Sequence, residues 1–143
     1  MIAEATPPEV RVVIAEDDPD DLFLLQHALR KVCPGLAITA VSDGVELLAH
    51  LQSGAASALP DLVFLDLNMP RMDGREVLAV LQDHPRLSAI PVVVMTTSQE
   101  PEDRERAKAL KVAAWVTKPD QFAPMVAIAR QILEQECPSA VKG

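Results

Sequence analysis

The sequence predicts an α/β fold of the doubly wound kind, an open parallel sheet with helices on both faces. Three observations carry this. Short apolar runs alternate with stretches of helical periodicity along nearly the whole chain. The runs are rich in β-branched residues, as strands buried on both faces are. Right-handed crossovers between parallel strands then require the intervening helices to cover both sides of the sheet.

The five candidate strands are VRVVIA from Val10, LAITAV from Leu36, DLVFLD from Asp61, PVVVMT from Pro91 and AAWVT from Ala113. After the first, Leu22, Leu25, Ala28, Leu29 and Val32 recur at helical spacing, with Asp18 as N-cap and Pro19 at the first helical position. That helix is expected to end near Pro34-Gly35. Three more helices are expected at Gly44 to Gln52, Asp73 to Gln82 and Pro101 to Leu110, the last with Glu102 and Asp103 in an acidic first turn. A fifth spans roughly Phe122 to Glu136. Met1 to Glu9 read as a loose lead-in, residues 10–136 as the folded domain and 137–143 as a tail.

Composition narrows the function. The 143 residues, 49% hydrophobic, can bury one core of ordinary domain size. A formal charge of -8, from 13 Lys and Arg against 21 Asp and Glu, opposes the phosphate attraction that nucleic-acid binding uses. No uninterrupted apolar span or secretory leader is visible, so a soluble cytoplasmic protein without a membrane or nucleic-acid partner is expected. Cys33 and Cys137 form no CxxC pair, and His27, His50 and His84 lie at no helical metal-pair spacing. All five read as packing or surface residues.

In open parallel sheets the functional crevice lies at the carboxyl ends of the strands. Glu16 and Asp17 follow the first strand, and Asp66, Thr96 and Lys118 stand at the ends of the third, fourth and fifth. Two carboxylates about 5 Å apart repel by roughly 3 kcal/mol at an effective dielectric near 20, so three together need a cation. All-oxygen ligands select a hard ion, Mg²⁺ or Mn²⁺, expected on Asp17, Asp66 and the carbonyl of Asn68, with Glu16 acting through water. One carboxylate can then attack phosphorus, and Asp66, ending the apolar run LVFLD, is the candidate. Lys118 and the hydroxyls of Thr96 and Thr97 can hold the phosphoryl oxygens.

These residues resemble a known family, the response-regulator receiver domains (CheY-like). VVIAEDDPDD is similar to the family's acidic pocket, LVFLDLNMPRMDG to its phosphoacceptor segment, VVVMTTS to its switch hydroxyl and WVTKP to its lysine and proline. The match covers about residues 10 to 136. It implies a flavodoxin-like (βα)5 sandwich with sheet order 2-1-3-4-5. It also implies phosphoryl transfer from a sensor histidine kinase to Asp66, self-catalysed hydrolysis, and no enzymatic action on other substrates. A cis bond before Pro119 is implied as well. Glu16 stands where many members have Asp. Trp115 falls at the aromatic switch position, where Tyr or Phe is commoner, and would turn as Thr96 moves toward a phosphoryl group. Asn68 and Ser98 resemble the family's tuners of dephosphorylation.

Only CPSAVKG follows the last helix, so output is expected from the domain surface. Phe122, Met125, Val126, Ile128, Ala129, Ile132 and Leu133 cover more than one stripe of that helix, which suggests a two-fold dimer across the 101–110 helix, the fifth strand and the last helix. DGVELLAHL, DGREVLAVL and IPVVVMTTS are similar to regulators paired with phytochrome-type kinases, so a bacteriophytochrome is an expected partner. Output regulator, relay intermediate and phosphate sink all stay open. A haloacid-dehalogenase-type phosphatase would need an Asp where Asn68 stands, the acids at residues 16 to 21 would repel a nucleotide, and EDDPDD lacks the Gly and twelfth-position Glu of an EF-hand.

Overall fold

The computed structural model describes residues 10–53, 59–97, 102, 105, 108 and 112–141. Five parallel strands, β1 (Arg11–Ala15), β2 (Ala37–Val41), β3 (Leu62–Leu65), β4 (Val92–Thr96) and β5 (Ala114–Thr117), form one sheet in the order β2-β1-β3-β4-β5. The helices are α1 (Pro19–Val32), α2 (Gly44–Ser53), α3 (Gly74–Asp83), α4 (Phe122–Glu136) and the short α5 (Pro138–Val141). A 3₁₀ turn at Leu87–Ala89 precedes β4. The helix expected over Pro101 to Leu110 falls mostly outside the described residues; Glu102, Glu105 and Lys108 within it are helical and exposed.

Burial follows position in the sheet. The central strand β3 and its neighbour β4 are buried throughout, and β1 is buried after Arg11, which is why they read as unbroken apolar runs. The edge strands β2 and β5 are mostly half-buried or exposed. Successive side chains alternate between two cores. Val13, Val63, Leu65 and Val94 face α2 and α3, whereas Val12, Phe64, Val93 and Met95 face α1 and α4.

Helix ends follow local chemistry. Asp18 caps α1, accepting hydrogen bonds from the backbone N–H groups of Asp20 at 2.9 Å and Asp21 at 3.2 Å, with Pro19 just inside the start. Asp73 and Glu76 form a reciprocal capping box at α3.

Two expectations are corrected. Met125, Ala129 and Leu133, assigned to a dimer face, are 2%, 0% and 0% exposed inside the chain. They form the i, i+4, i+8 stripe that packs with α1 on the sheet, and Val126 flanks the same core. The surplus of apolar residues is absorbed by α1, and of the seven residues named on this helix only Phe122 is exposed. The tail beyond Cys137 is also partly folded: Cys137 is buried, and Ala140 and Val141 of α5 pack on the core shared by α1 and α4. A Leu133→Ala variant should therefore lose about 2–5 kcal/mol in urea unfolding, as a fully buried leucine does; a loss below about 0.5 kcal/mol would return Leu133 to the surface.

Candidate functional site

The strand ladder continues one residue past its ends and so fixes the site. Glu16 N–H donates to Val41 O at 3.0 Å, Asp66 N–H to Ala15 O at 3.0 Å, and Lys118 N–H to Thr96 O at 3.0 Å. Glu16 and Asp66 thus stand side by side at the carboxyl edge, with Lys118 facing them from beyond β5. Glu16, Asp66 and Thr96 are 7%, 5% and 0% exposed, burial that polar groups bear only with partners. Asp17 is exposed.

One oxygen each of Glu16, Asp17 and Asp66 can be chosen so that all lie within 4.8 Å of one another. This all-oxygen donor set fits a hard divalent cation. Asn68, exposed two residues after Asp66, donates its backbone N–H to Asp66 Oδ1 at 3.1 Å. The opposite side of the pocket is a lysine. Lys118 Nζ lies 2.6 Å from Glu16 Oε1, 2.9 Å from Asp21 Oδ2 and 3.4 Å from Asp66 Oδ2. Burial works against the ammonium, but its hydrogen bonds to Glu16 and Asp21 and the charge of Asp66 hold its pKa above the ordinary lysine value. Burial raises Glu16 to about 7; the Lys118 hydrogen bond opposes this and the Asp66 charge adds to it.

Thr96 and Trp115 lie on one face of the sheet, because Val94 pairs with Trp115 and Thr96 stands two residues beyond Val94. Trp115 is half-buried beside the core that contains Val94. Thr97 is exposed past the end of β4, and Ser98 lies outside the described residues. The Lys118–Pro119 bond is trans, correcting the expected cis bond. The two forms of an X-Pro bond differ by only about 0.5–1 kcal/mol, and the long lysine side chain enters the pocket from the trans backbone.

The loop after Asp66 is held by contacts that sequence reasoning missed. Arg71 adopts a left-handed backbone with φ 64°, a conformation that costs a non-glycine residue on the order of 1 kcal/mol or more. Its guanidinium grips Asp43 through Nε–Oδ2 at 2.9 Å and Nη2–Oδ1 at 3.1 Å. The same Asp43 accepts the Glu46 N–H at 2.8 Å at the start of α2, so one carboxylate joins the loop to that helix. The Arg71 hydrogen bond holds the Asp43 carboxyl below its ordinary value. Gly74 is required by close approach: a Cβ there would meet Asp66 O and Leu67 Cα. No signal in the sequence ties Arg71 to Asp43, and Asp21 was legible only as one acid in a run.

Carboxylates, a hydroxyl and an ammonium at the carboxyl edge of a five-stranded parallel sheet define a class of phosphoryl-accepting signalling domain. The chain matches the family model of the response regulator receiver domain over residues 12–130 and belongs to that family. It is 38% identical over 121 residues to response regulator Rcp1 of Synechocystis sp., covering 82% of each chain. Among solved structures, the phosphorylated cyanobacterial phytochrome response regulator RcpA matches with a TM-score of 0.84 at 35% identity, over 93% of this chain and 97% of that one. The Mn²⁺-bound form of Rcp1 matches with a TM-score of 0.78 at 33% identity, over 89% and 93%. The chain is thus a two-component response regulator related to the phytochrome response regulators. Among the described residues, no helix is long and apolar enough to cross a membrane.

The raised pKa of Glu16 has a definite sign. The folded state holds this proton more tightly than the unfolded chain does, so the associated stability is present below the ordinary value of 4.5 and lost as pH rises toward 7. In EDTA, the wild-type protein should lose stability relative to Glu16→Gln across that window, measured by urea unfolding, and Mg²⁺ should reverse the trend. A relative gain of the wild type between pH 4.5 and 7 would contradict the assignment.

Proposed function

We propose that the protein is a cytoplasmic response regulator whose Asp66 accepts a phosphoryl group from a sensor histidine kinase of the phytochrome type. The observation that carries this is Asp66 itself, buried at the end of the central strand between two further acids and the Lys118 ammonium. An Asp66 oxygen attacks the phosphorus of a phosphohistidine; the P–O bond forms, the P–N bond breaks, and the departing imidazole keeps the electron pair and takes up a proton. Asp17, Asp66 and the Asn68 carbonyl would hold Mg²⁺ or Mn²⁺, with Glu16 acting through water. That ion supplies charge neutralisation on the phosphoryl oxygens. Lys118 and the Thr96 and Thr97 hydroxyls hold the remaining oxygens. Beyond its own phosphorylation and dephosphorylation the protein catalyses nothing.

Thr96 and Trp115 form the switch in this reading. A hydroxyl drawn to the phosphoryl group vacates space on the face it shares with the indole, turning a charge event into a change of surface. A protein target reads that surface. A homodimer remains part of the proposal, resting now on Phe122, 41% exposed at the start of α4, and on the half-exposed edge strand β5 rather than on the buried stripe.

Incubation with a small acyl phosphate and Mg²⁺ tests these claims together. Intact mass should show one added phosphoryl group on the wild type and none on Asp66→Asn, with uptake by Thr96→Ala slowed about tenfold or more. Emission of Trp115, the only tryptophan, should change, and sedimentation at micromolar concentration should show a dimer. Phosphoryl uptake by Asp66→Asn would refute the acceptor, constant emission the switch, and a strict monomer in both states the dimer.

A further inference from the structure

Asp21 makes a contact that neither the metal-ligand set nor the phosphoryl group explains. It stands in the first turn of α1, and its Oδ2 accepts a hydrogen bond from Lys118 Nζ at 2.9 Å. An ammonium has three donors, and here three carboxylates face it: Glu16, Asp21 and Asp66. Two of these have other duties. Glu16 and Asp66 belong, with Asp17, to the group whose oxygens can converge on a cation. Asp66 also surrenders an oxygen to the phosphoryl group. Asp21 lies outside that group, and its Oδ2 is directed at Lys118.

Its backbone is held at the capped start of α1. The Asp21 N–H donates to Asp18 Oδ1 at 3.2 Å, and the turn that carries it is anchored by the buried Leu25, Ala28 and Leu29. Lys118 is held at its backbone by the hydrogen bond to Thr96 O, and beyond that its long side chain depends on the carboxylates that meet its ammonium, of which Asp21 alone lies outside the cation-binding group. A flexible side chain that must act in a defined geometry gains from a partner on a rigid element.

We propose that Asp21 is a positioning residue: it tethers the Lys118 ammonium over the pocket so that the lysine meets the phosphoryl oxygens already oriented. The catalytic consequence rests on the reading of Asp66 as phosphoacceptor. The competing account makes Asp21 merely a favourable acid at a helix N-terminus, which affects stability and leaves Lys118 unchanged.

Nitrogen-15 relaxation of the Lys118 ammonium in the Mg²⁺-loaded full chain separates the two. The ammonium should be ordered in the wild type, mobile in Asp21→Ala, partly ordered in Asp21→Asn, which keeps an acceptor without the charge, and restored in Asp21→Glu. An ammonium equally ordered in the wild type, Asp21→Ala and Asp21→Asn would overturn the tether. Phosphorylation by a small acyl phosphate at saturating Mg²⁺ then reads its consequence. Asp21→Ala should be slower on the order of fivefold to tenfold, Asp21→Glu close to the wild type, and Asp21→Ala should add no further loss in a Lys118→Ala background. The same loss in that background would overturn the proposal, because Asp21 would then act by a route that bypasses Lys118. A wild type that takes up no phosphoryl group would refute the acceptor reading, while the relaxation data still decide the tether.

Discussion

The carboxyl edge of the sheet is organised around one ammonium. Lys118 stands among Glu16, Asp21 and Asp66, contributed by the end of β1, the first turn of α1 and the end of β3. Without a cation these acids could not remain charged so close together, since each pair at about 5 Å costs roughly 3 kcal/mol. One lysine charge balances three carboxylates only in part, and burial together with the Asp66 charge holds the Glu16 pKa up at about 7 against the Lys118 hydrogen bond. The pocket therefore retains an excess of negative charge on the side where Asp17 joins Glu16 and Asp66. That imbalance is what equips it for a divalent ion.

The remainder of the fold keeps this arrangement in place. Ladder hydrogen bonds beyond the strand ends set Glu16, Asp66 and Lys118 in register. The loop after Asp66 carries the left-handed Arg71, which is offset by its two bonds to Asp43 and through that residue is joined to α2. Gly74 lets α3 start directly against the Asp66 carbonyl. Strain and close approach thus gather around Asp66, while the apolar cores on either side of the sheet remain regular.

Much of this was legible in the sequence because its signals are local. Apolar runs marked the strands to within a residue, and Asp18-Pro19 marked the start of α1 through capping chemistry. The strand-end rule brought Glu16, Asp66 and Lys118 together because a parallel sheet puts every carboxyl end on one edge. What sequence reasoning missed is non-local. The Arg71–Asp43 pair spans 28 residues and the Asp21–Lys118 pair 97, and neither leaves a periodic trace. The apolar residues of α4 misled for a related reason. Hydrophobicity along a helix reports that a face is covered, and the cover proved to be α1 of the same chain rather than a second copy.

If the excess of negative charge is built for a cation and a phosphoryl group together, each must strengthen the binding of the other. The coupling is reciprocal by thermodynamic necessity. Calorimetric titration of Mg²⁺ with and without beryllofluoride, a phosphoryl mimic, measures it directly. Mg²⁺ should bind about tenfold or more tightly when beryllofluoride is present, corresponding to at least about 1.4 kcal/mol of coupling. Equal Mg²⁺ affinity in the two titrations would contradict a pocket organised for both ligands.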